Sequence, residues 1–320
     1  MHIESALIST GVAVSAYAVT AGANAFSFIK NQKAESGFLP REKADGKTAK
    51  NPAFVGCAAA LVFALQMLNI PIVGTGSSGH FVGAVLLAYL LGPYAATLSM
   101  SAVLTVQCLL FADGGLVALG VNIVNMAVLP CLVVYPLVLK AVSKIFKRDA
   151  AAQATALAVS AYVSIILGAF MVAVETLPNA QIPFAAFAAQ MLSIHALIGL
   201  IEASITIGAA ALFWFVAKIA PNGRKNLALC LFTGALALLC AGVLSLFANA
   251  LPDGLEWSVA SVSDTIATAP VDRYFAAHTL FPDYAAFGAA WGTAISGLAG
   301  CFAVFALALP FFSKRAERIA

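Results

Sequence analysis

Charge is what this chain has least of. Of its 320 residues 10% are charged and 62% hydrophobic, where an ordinary soluble domain carries roughly 25% charged residues. That deficit excludes a soluble globular protein. Several catalytic and motor signatures are also missing. There is no G-x-x-x-x-G-K-[ST] run, so the chain has no phosphate-binding loop with which to hydrolyse ATP itself. There is no H-E-x-x-H, which disfavours a metalloenzyme. The six cysteines show no C-x-x-C spacing, and all lie within apolar runs, where cysteine acts as a small hydrophobe. The first residues lack the basic region and A-x-A-like site of a cleavable signal peptide. Neither an enzyme nor a nucleic-acid partner is expected.

What is present is a series of long apolar segments. A hydrocarbon core of ~30 Å needs about 20 apolar residues per helical span, and only helices or closed barrels can cross it. The runs are continuous, rich in Ala and Leu, and longer than the alternating ~10-residue strands of barrels. The expected fold is therefore all-α, a polytopic transmembrane bundle. Nine segments are read, at roughly 5–30, 52–69, 80–92, 94–112, 116–143, 153–176, 185–217, 226–249 and 284–312. The third is short and ends before Pro93, a residue suited to begin a new helix. The segment 185–217 is long enough to tilt or to project from the bilayer. Gly56, Ala60 and Ala64 form a small-residue stripe suited to close helix approach.

The few charges are unevenly placed. Lys30, Lys33, Arg41, Lys43, Lys47 and Lys50 lie in one connection, Lys140, Lys144, Lys147 and Arg148 in another. Lys218, Arg224 and Lys225 lie in a third, and Lys314, Arg315 and Arg318 in the tail. All fall on one side of a nine-span topology, leaving only Arg273 opposite. Excess Lys and Arg mark the cytoplasmic side, so the N-terminus is expected outside and the C-terminus inside. His2, the polar loop 69–80, Asp113, Glu175 and the acidic loop 250–283 then share the outer face. Net negative charge in that loop either concentrates cations or is simply solvated.

Donor nitrogens gather at the same face. A chain opening Met1-His2 presents an α-amino group, the His2 peptide nitrogen and the His2 imidazole as successive donors, closing a five- and then a six-membered chelate ring. Four nitrogens in a plane suit Ni(II) or Cu(II), whereas zinc prefers a tetrahedron. The fourth candidate is His80, in a Gly/Ser-rich turn where Ser77 or Ser78 can cap the following helix. Both histidines also fit a plainer role as residues at helix starts. His195 and Glu202 lie seven apart on one face of the segment 185–217. They read as an outer-shell or gating pair, or as a neutral pair that holds helices together. Asn122 and Asn125, with Gln66 and Gln107, read as interhelical hydrogen-bonding groups. His278 is a weaker alternative donor.

Longer motifs point to a family. Gly76-Ser77-Ser78-Gly79-His80-Phe81-Val82-Gly83-Ala84, then Leu91-Gly92-Pro93-Tyr94, then Gln107-Cys108-Leu109-Leu110-Phe111-Ala112-Asp113-Gly114-Gly115-Leu116, lead into Leu119-Gly120-Val121-Asn122. With the opening Met1-His2-Ile3, these resemble the CbiM/NikM substrate-binding components of nickel and cobalt energy-coupling-factor transporters. His195-Ala196-Leu197-Ile198-Gly199 and Glu202 fit the family's later helix. The C-terminal part, with Pro252-Asp253-Gly254-Leu255-Glu256 and Phe281-Pro282-Asp283-Tyr284, is similar to the PDGLE-bearing NikN-type accessory subunit. The resemblance implies a fusion of an M-type membrane domain over 1–220 and an N-type region over 221–320. It implies that Met1, His2 and His80 hold the transported ion, Ni(II) ahead of Co(II), with no resident cofactor. It also implies a multi-pass protein of the bacterial cell membrane, whose partners are a coupling transmembrane protein and two ATPase subunits. The family often has Met-Glu-Gly or Pro-Asp-Gly after Met-His-Ile; Glu4-Ser5-Ala6 stands here instead. Cobalt uptake for corrinoid synthesis by the same mechanism, an intramembrane metalloenzyme and a metal sensor are the competing functions.

Overall fold

The computed structural model describes residues 2–33, 51–146, 150–221, 223–263, 269–285 and 291–316. Met1 therefore lies outside the described residues. The chain folds as helices α1 (Thr10–Lys33), α2 (Pro52–Gln66), α3 (Ala84–Leu91), α4 (Pro93–Phe111), α5 (Leu119–Ile145), α6 (Ala150–Glu175), α7 (Phe184–Ile219) and α8 (Lys225–Gly242). Two short helices, α9 (Gly254–Ala260) and α10 (Pro270–His278), precede the last, α11 (Gly292–Ala316). A small antiparallel hairpin, β1 (Ile70–Ile72) and β2 (Ser77–Gly79), lies between α2 and α3.

Among the described residues seven helices are long and apolar enough to cross a membrane. The nine-segment reading was too generous at two places. The segment 52–69 is helical only over Pro52–Gln66, 15 residues, or about 22 Å. The segment 80–92 is helical only over Ala84–Leu91, eight residues, about 12 Å. Its first residues instead run extended, for a reason given below. Pro93 does open a helix, directly after Gly92. α7 has 36 residues, about 54 Å long, so it outreaches the bilayer as its segment length predicts.

α2 is the central element. It is buried almost all round, with Phe54 and Phe63 fully enclosed, and it packs against α8 and α11. The Gly56–Ala60–Ala64 stripe is where α11 comes close. A Cβ on Gly56 would fall 2.7 Å from the Phe305 ring, and Cys301 Sγ lies 3.5 Å from the Ala60 carbonyl oxygen. α5 is wound as a π-helix over Val124–Val134, with Pro130 inside it. A widened turn tolerates a residue that cannot donate. All six cysteines are free, but only four are buried; Cys57 and Cys230 are half-covered.

The two ends differ. One carries the N-terminal segment, the hairpin, α9 and α10, tied together by the bonds described next. Lys144, Lys218 and Lys225 sit at the opposite ends of their helices.

Candidate metal centre

The first described residues are extended and pinned by a side chain. Ile3 N donates to Asn122 Oδ1 at 2.8 Å, and Asn122 Nδ2 donates back to the Ile3 carbonyl at 3.2 Å. An amide side chain carries both a donor and an acceptor, so Asn122 replaces the neighbouring strand that this segment lacks. Gly115 N donates to the same carbonyl at 3.2 Å. The loop can pass this close because Gly114 has φ +80° and no side chain; a Cβ there would lie 2.7 Å from Asn122 Nδ2 and 3.2 Å from His2 Cβ. The sequence reading of Asn122 as an interhelical tie is corrected: its partner is the terminal segment. Further along, Ser5 donates from N and Oγ to the two carboxylate oxygens of Asp272 on α10, at 2.9 and 2.7 Å.

This clamp fixes His2. Its Nδ1 lies 3.0 Å from Asp113 Oδ1, and its ring stacks on that of His80 with centroids 5.5 Å apart and planes 15° apart. His2 Nε2 is buried and has no hydrogen-bond partner. Tyr284 OH donates to the other Asp113 oxygen at 2.5 Å. Although burial would raise the Asp113 carboxyl, the adjacent His2 and the bonds from His2 and Tyr284 hold it well below the usual carboxylate range. Asp113 is therefore an anion beside the imidazole.

His80 is delivered by the hairpin and then by Glu202. The hairpin pairs Ile70 with Gly79 and Ile72 with Ser77. Beyond it, Val82 N and Gly83 N donate to the two oxygens of Glu202 at 2.7 and 2.8 Å. The Val82 carbonyl accepts from Gln66 Nε2 at 2.7 Å. A buried carboxylate thus takes both amides of an extended stretch, which is why the helix starts only after Gly83, in the left-handed region at φ +78°. Ser77 and Ser78 do not cap that helix, as the sequence suggested. Ser78 N donates to the Pro252 carbonyl at 2.8 Å, and Ser78 Oγ to that of Leu251 at 2.7 Å. Burial pushes the His80 imidazole down to about 3, so it is neutral and keeps a free lone pair.

The acidic outer loop is not merely solvated. Asp253 caps α9: its Oδ1 accepts from Leu255 N and Glu256 N, while Glu256 returns a bond to Asp253 N. Its other oxygen lies 4.0 Å from His80 Nδ1. Trp257 Nε1 donates to the Thr75 carbonyl at 3.1 Å, fastening α9 to the hairpin tip.

The remaining sequence candidates fall elsewhere. Glu202 and His195 do not pair. His195 Nδ1 lies 2.8 Å from the Met191 carbonyl oxygen, and its ring borders a small cavity shared with His80, Asp253 and Gly254. Asn125 donates to Glu175 at 2.7 Å, joining α5 to α6. His278 stacks on Tyr274 with its Nδ1 2.7 Å from the Tyr274 carbonyl oxygen. Among the described residues no three His, Cys, Asp or Glu side chains are grouped to hold a metal ion.

A family model described as "Cobalt uptake substrate-specific transmembrane region" (CbiM) matches residues 2–223. The chain belongs to the CbiM family. A second model, the PDGLE domain, matches residues 227–315. Within this CbiM chain the two matched regions meet at the outer end, through Ser78 with Pro252, Ser5 with Asp272, and Asp113 with Tyr284. A protein of Archaeoglobus fulgidus provisionally named fused nickel transport protein NikMN is 41% identical over 175 residues, 54% of this chain and 56% of that one. The match thus spans about half of that relative's length. The cobalt transport protein CbiM of Anoxybacillus flavithermus is 49% identical over 80 residues, 25% of this chain and 32% of the relative. A crystal structure titled as a transition metal transporter is 26% identical, with a TM-score of 0.55, covering 71% of this chain and 98% of that one. The CbiM chain is thus a multi-pass membrane protein, and these relatives are metal transport proteins rather than enzymes.

Proposed function

We propose that the chain captures a divalent transition metal ion, Ni(II) ahead of Co(II), at the outer face of the membrane. The donors would be the α-amino group of Met1, the amide and imidazole nitrogens of His2, and the imidazole of His80. The observation that carries this reading is the stacked pair of His2 and His80, with rings 5.5 Å apart and His80 kept neutral by burial. A neutral imidazole has no proton to lose before it coordinates. Two imidazoles alone do not complete a site, and the nearest side-chain groupings supply no third ligand. Main-chain nitrogen is what the Met1-His2 start can add, and a planar nitrogen set favours Ni(II). The same pocket would take Co(II) with lower preference.

The ion is cargo. Lacking a phosphate-binding loop, the chain would act as the substrate-binding subunit of an energy-coupling-factor transporter. Its partners would be a coupling membrane protein and two ATPase subunits. The division into an M-type domain over 1–220 and an N-type region over 221–320 belongs to this proposal.

Adding one residue before Met1 moves the amine and enlarges the chelate ring. Calorimetric titration of the purified, extended protein with Ni(II) is expected to show high-affinity binding abolished. Unchanged affinity would overturn the terminal chelate.

A further inference from the structure

Whichever nitrogen of His2 meets an ion, the other carries a proton and needs an acceptor. Ligating histidines are normally oriented by such an outer partner, and its loss typically costs 10–100-fold in metal affinity. Asp113 is the carboxylate in reach, with Oδ1 3.0 Å from the ring. Asp113 is not free to turn, because its Oδ2 takes the Tyr284 hydroxyl at 2.5 Å. Tyr284 is 171 residues away in sequence, in the region matching the PDGLE domain.

The chain goes to some expense to bring that hydroxyl here. Asp283 and Tyr284 both sit in the left-handed region, at φ 52° and 57°, as does Ala112 just before Asp113, at φ 56°. Left-handed backbone at residues other than glycine costs of order 1–3 kcal/mol each and clusters where surrounding structure enforces it. The enforcing contacts are visible. The Tyr284 ring stacks on Phe111, centroids 4.6 Å apart; Phe281 N donates to the Leu110 carbonyl at 3.0 Å, and Thr279 Oγ1 to that of Leu109 at 2.7 Å. The approach to the end of α4 is zipped, and the hydroxyl arrives on the one carboxylate that faces His2.

We propose that Tyr284 is a positioning residue for the metal site: it holds Asp113 in the orientation that fixes the His2 imidazole, so the C-terminal region tunes the affinity of a site whose ligands lie in the N-terminal region. This rests on the metal reading of His2 given above.

The test is Ni(II) titration of the full chain as wild type, Tyr284→Phe, Asp113→Asn and the double variant, with the visible absorption of bound Ni(II) recorded for each. Tyr284→Phe keeps the ring that stacks on Phe111 and removes only the hydroxyl, and thermal unfolding checks that the fold is kept. Affinity is expected to fall about 3- to 10-fold in Tyr284→Phe and about 10- to 100-fold in Asp113→Asn. Because Tyr284 acts through Asp113, the double variant should match Asp113→Asn, a non-additivity expected of coupled residues. The Ni(II) absorption band should shift with Tyr284→Phe alone and not shift further in the Asp113→Asn background. A folded Tyr284→Phe protein with wild-type affinity and spectrum, or additive losses in the double variant, overturns the positioning role. If wild type itself binds no Ni(II), the metal reading has failed, not this refinement alone.

Discussion

At the scale of single residues, His80 matters through its neutrality. Burial lowers its imidazole to about 3 from an ordinary ~6.5. Between those values the unfolded chain binds a proton there that the folded chain does not. Stability should then rise with pH across that window and fall on acidification, by up to about 1.4 kcal/mol per pH unit for one such group. Thermal unfolding in detergent from pH 7 to pH 4 should therefore show a shallower acid loss in His80→Ala than in wild type; identical slopes would contradict a buried neutral His80. The same variant should retain less Ni(II) by mass spectrometry after desalting, with the yield of folded protein little changed. Equal metal content would point to another fourth donor. His2 and His80 were legible in sequence because donor type and position are local properties. Asp113 as the partner of His2, and Tyr284 as the partner of Asp113, were not, since no pattern announces a contact between residues 171 apart.

Among the elements, the stretch from β2 to α3 shows where the apolar pattern misleads. Residues 80–92 are hydrophobic enough to suggest a span, yet Glu202 on α7 takes the amides of Val82 and Gly83 and keeps the first residues extended. A helix pattern cannot foretell a carboxylate arriving from 120 residues away. Replacing Glu202 with Leu strips two buried amides of their acceptor, at roughly 1–3 kcal/mol for each unsatisfied group. The expected result is a lower unfolding temperature together with weaker Ni(II) binding, since His80 is two residues upstream. A loss of stability with unaltered binding would show that Glu202 does not position His80. Gly114→Ala is the matching change on the other loop. With φ +80° and Asn122 Nδ2 2.7 Å from the new Cβ, it should loosen the His2 clamp, seen as faster Ni(II) release. The small-residue stripe on α2, by contrast, was legible, because close helix approach needs small side chains wherever it occurs.

For the whole molecule, orientation follows from where charge is allowed. Basic residues at the inner helix ends and polar loops at the other end place the hairpin tip outside. Val73 is 95% exposed at that tip and Ile145 is 75% exposed at the opposite end. In intact cells a membrane-impermeant thiol reagent should label Val73→Cys and leave Ile145→Cys untouched until the membrane is opened. The reverse pattern would invert the topology. The helical class, the orientation and the two-part family resemblance were all readable from composition and motif, because a bilayer imposes span length and charge side directly. How the C-terminal region folds back over the metal centre was not, since Ser5–Asp272, Ser78–Pro252 and Asp113–Tyr284 are pairings that only the packed bundle creates.

The central claim is a nitrogen cage drawn partly from the main chain. X-ray absorption at the Ni edge of the loaded, full-length protein tests it most directly. The expected spectrum is that of a four-coordinate, planar Ni(II) with nitrogen neighbours only, two of them imidazole. A six-coordinate ion with oxygen neighbours, or a spectrum unchanged by extending the N-terminus, would contradict it.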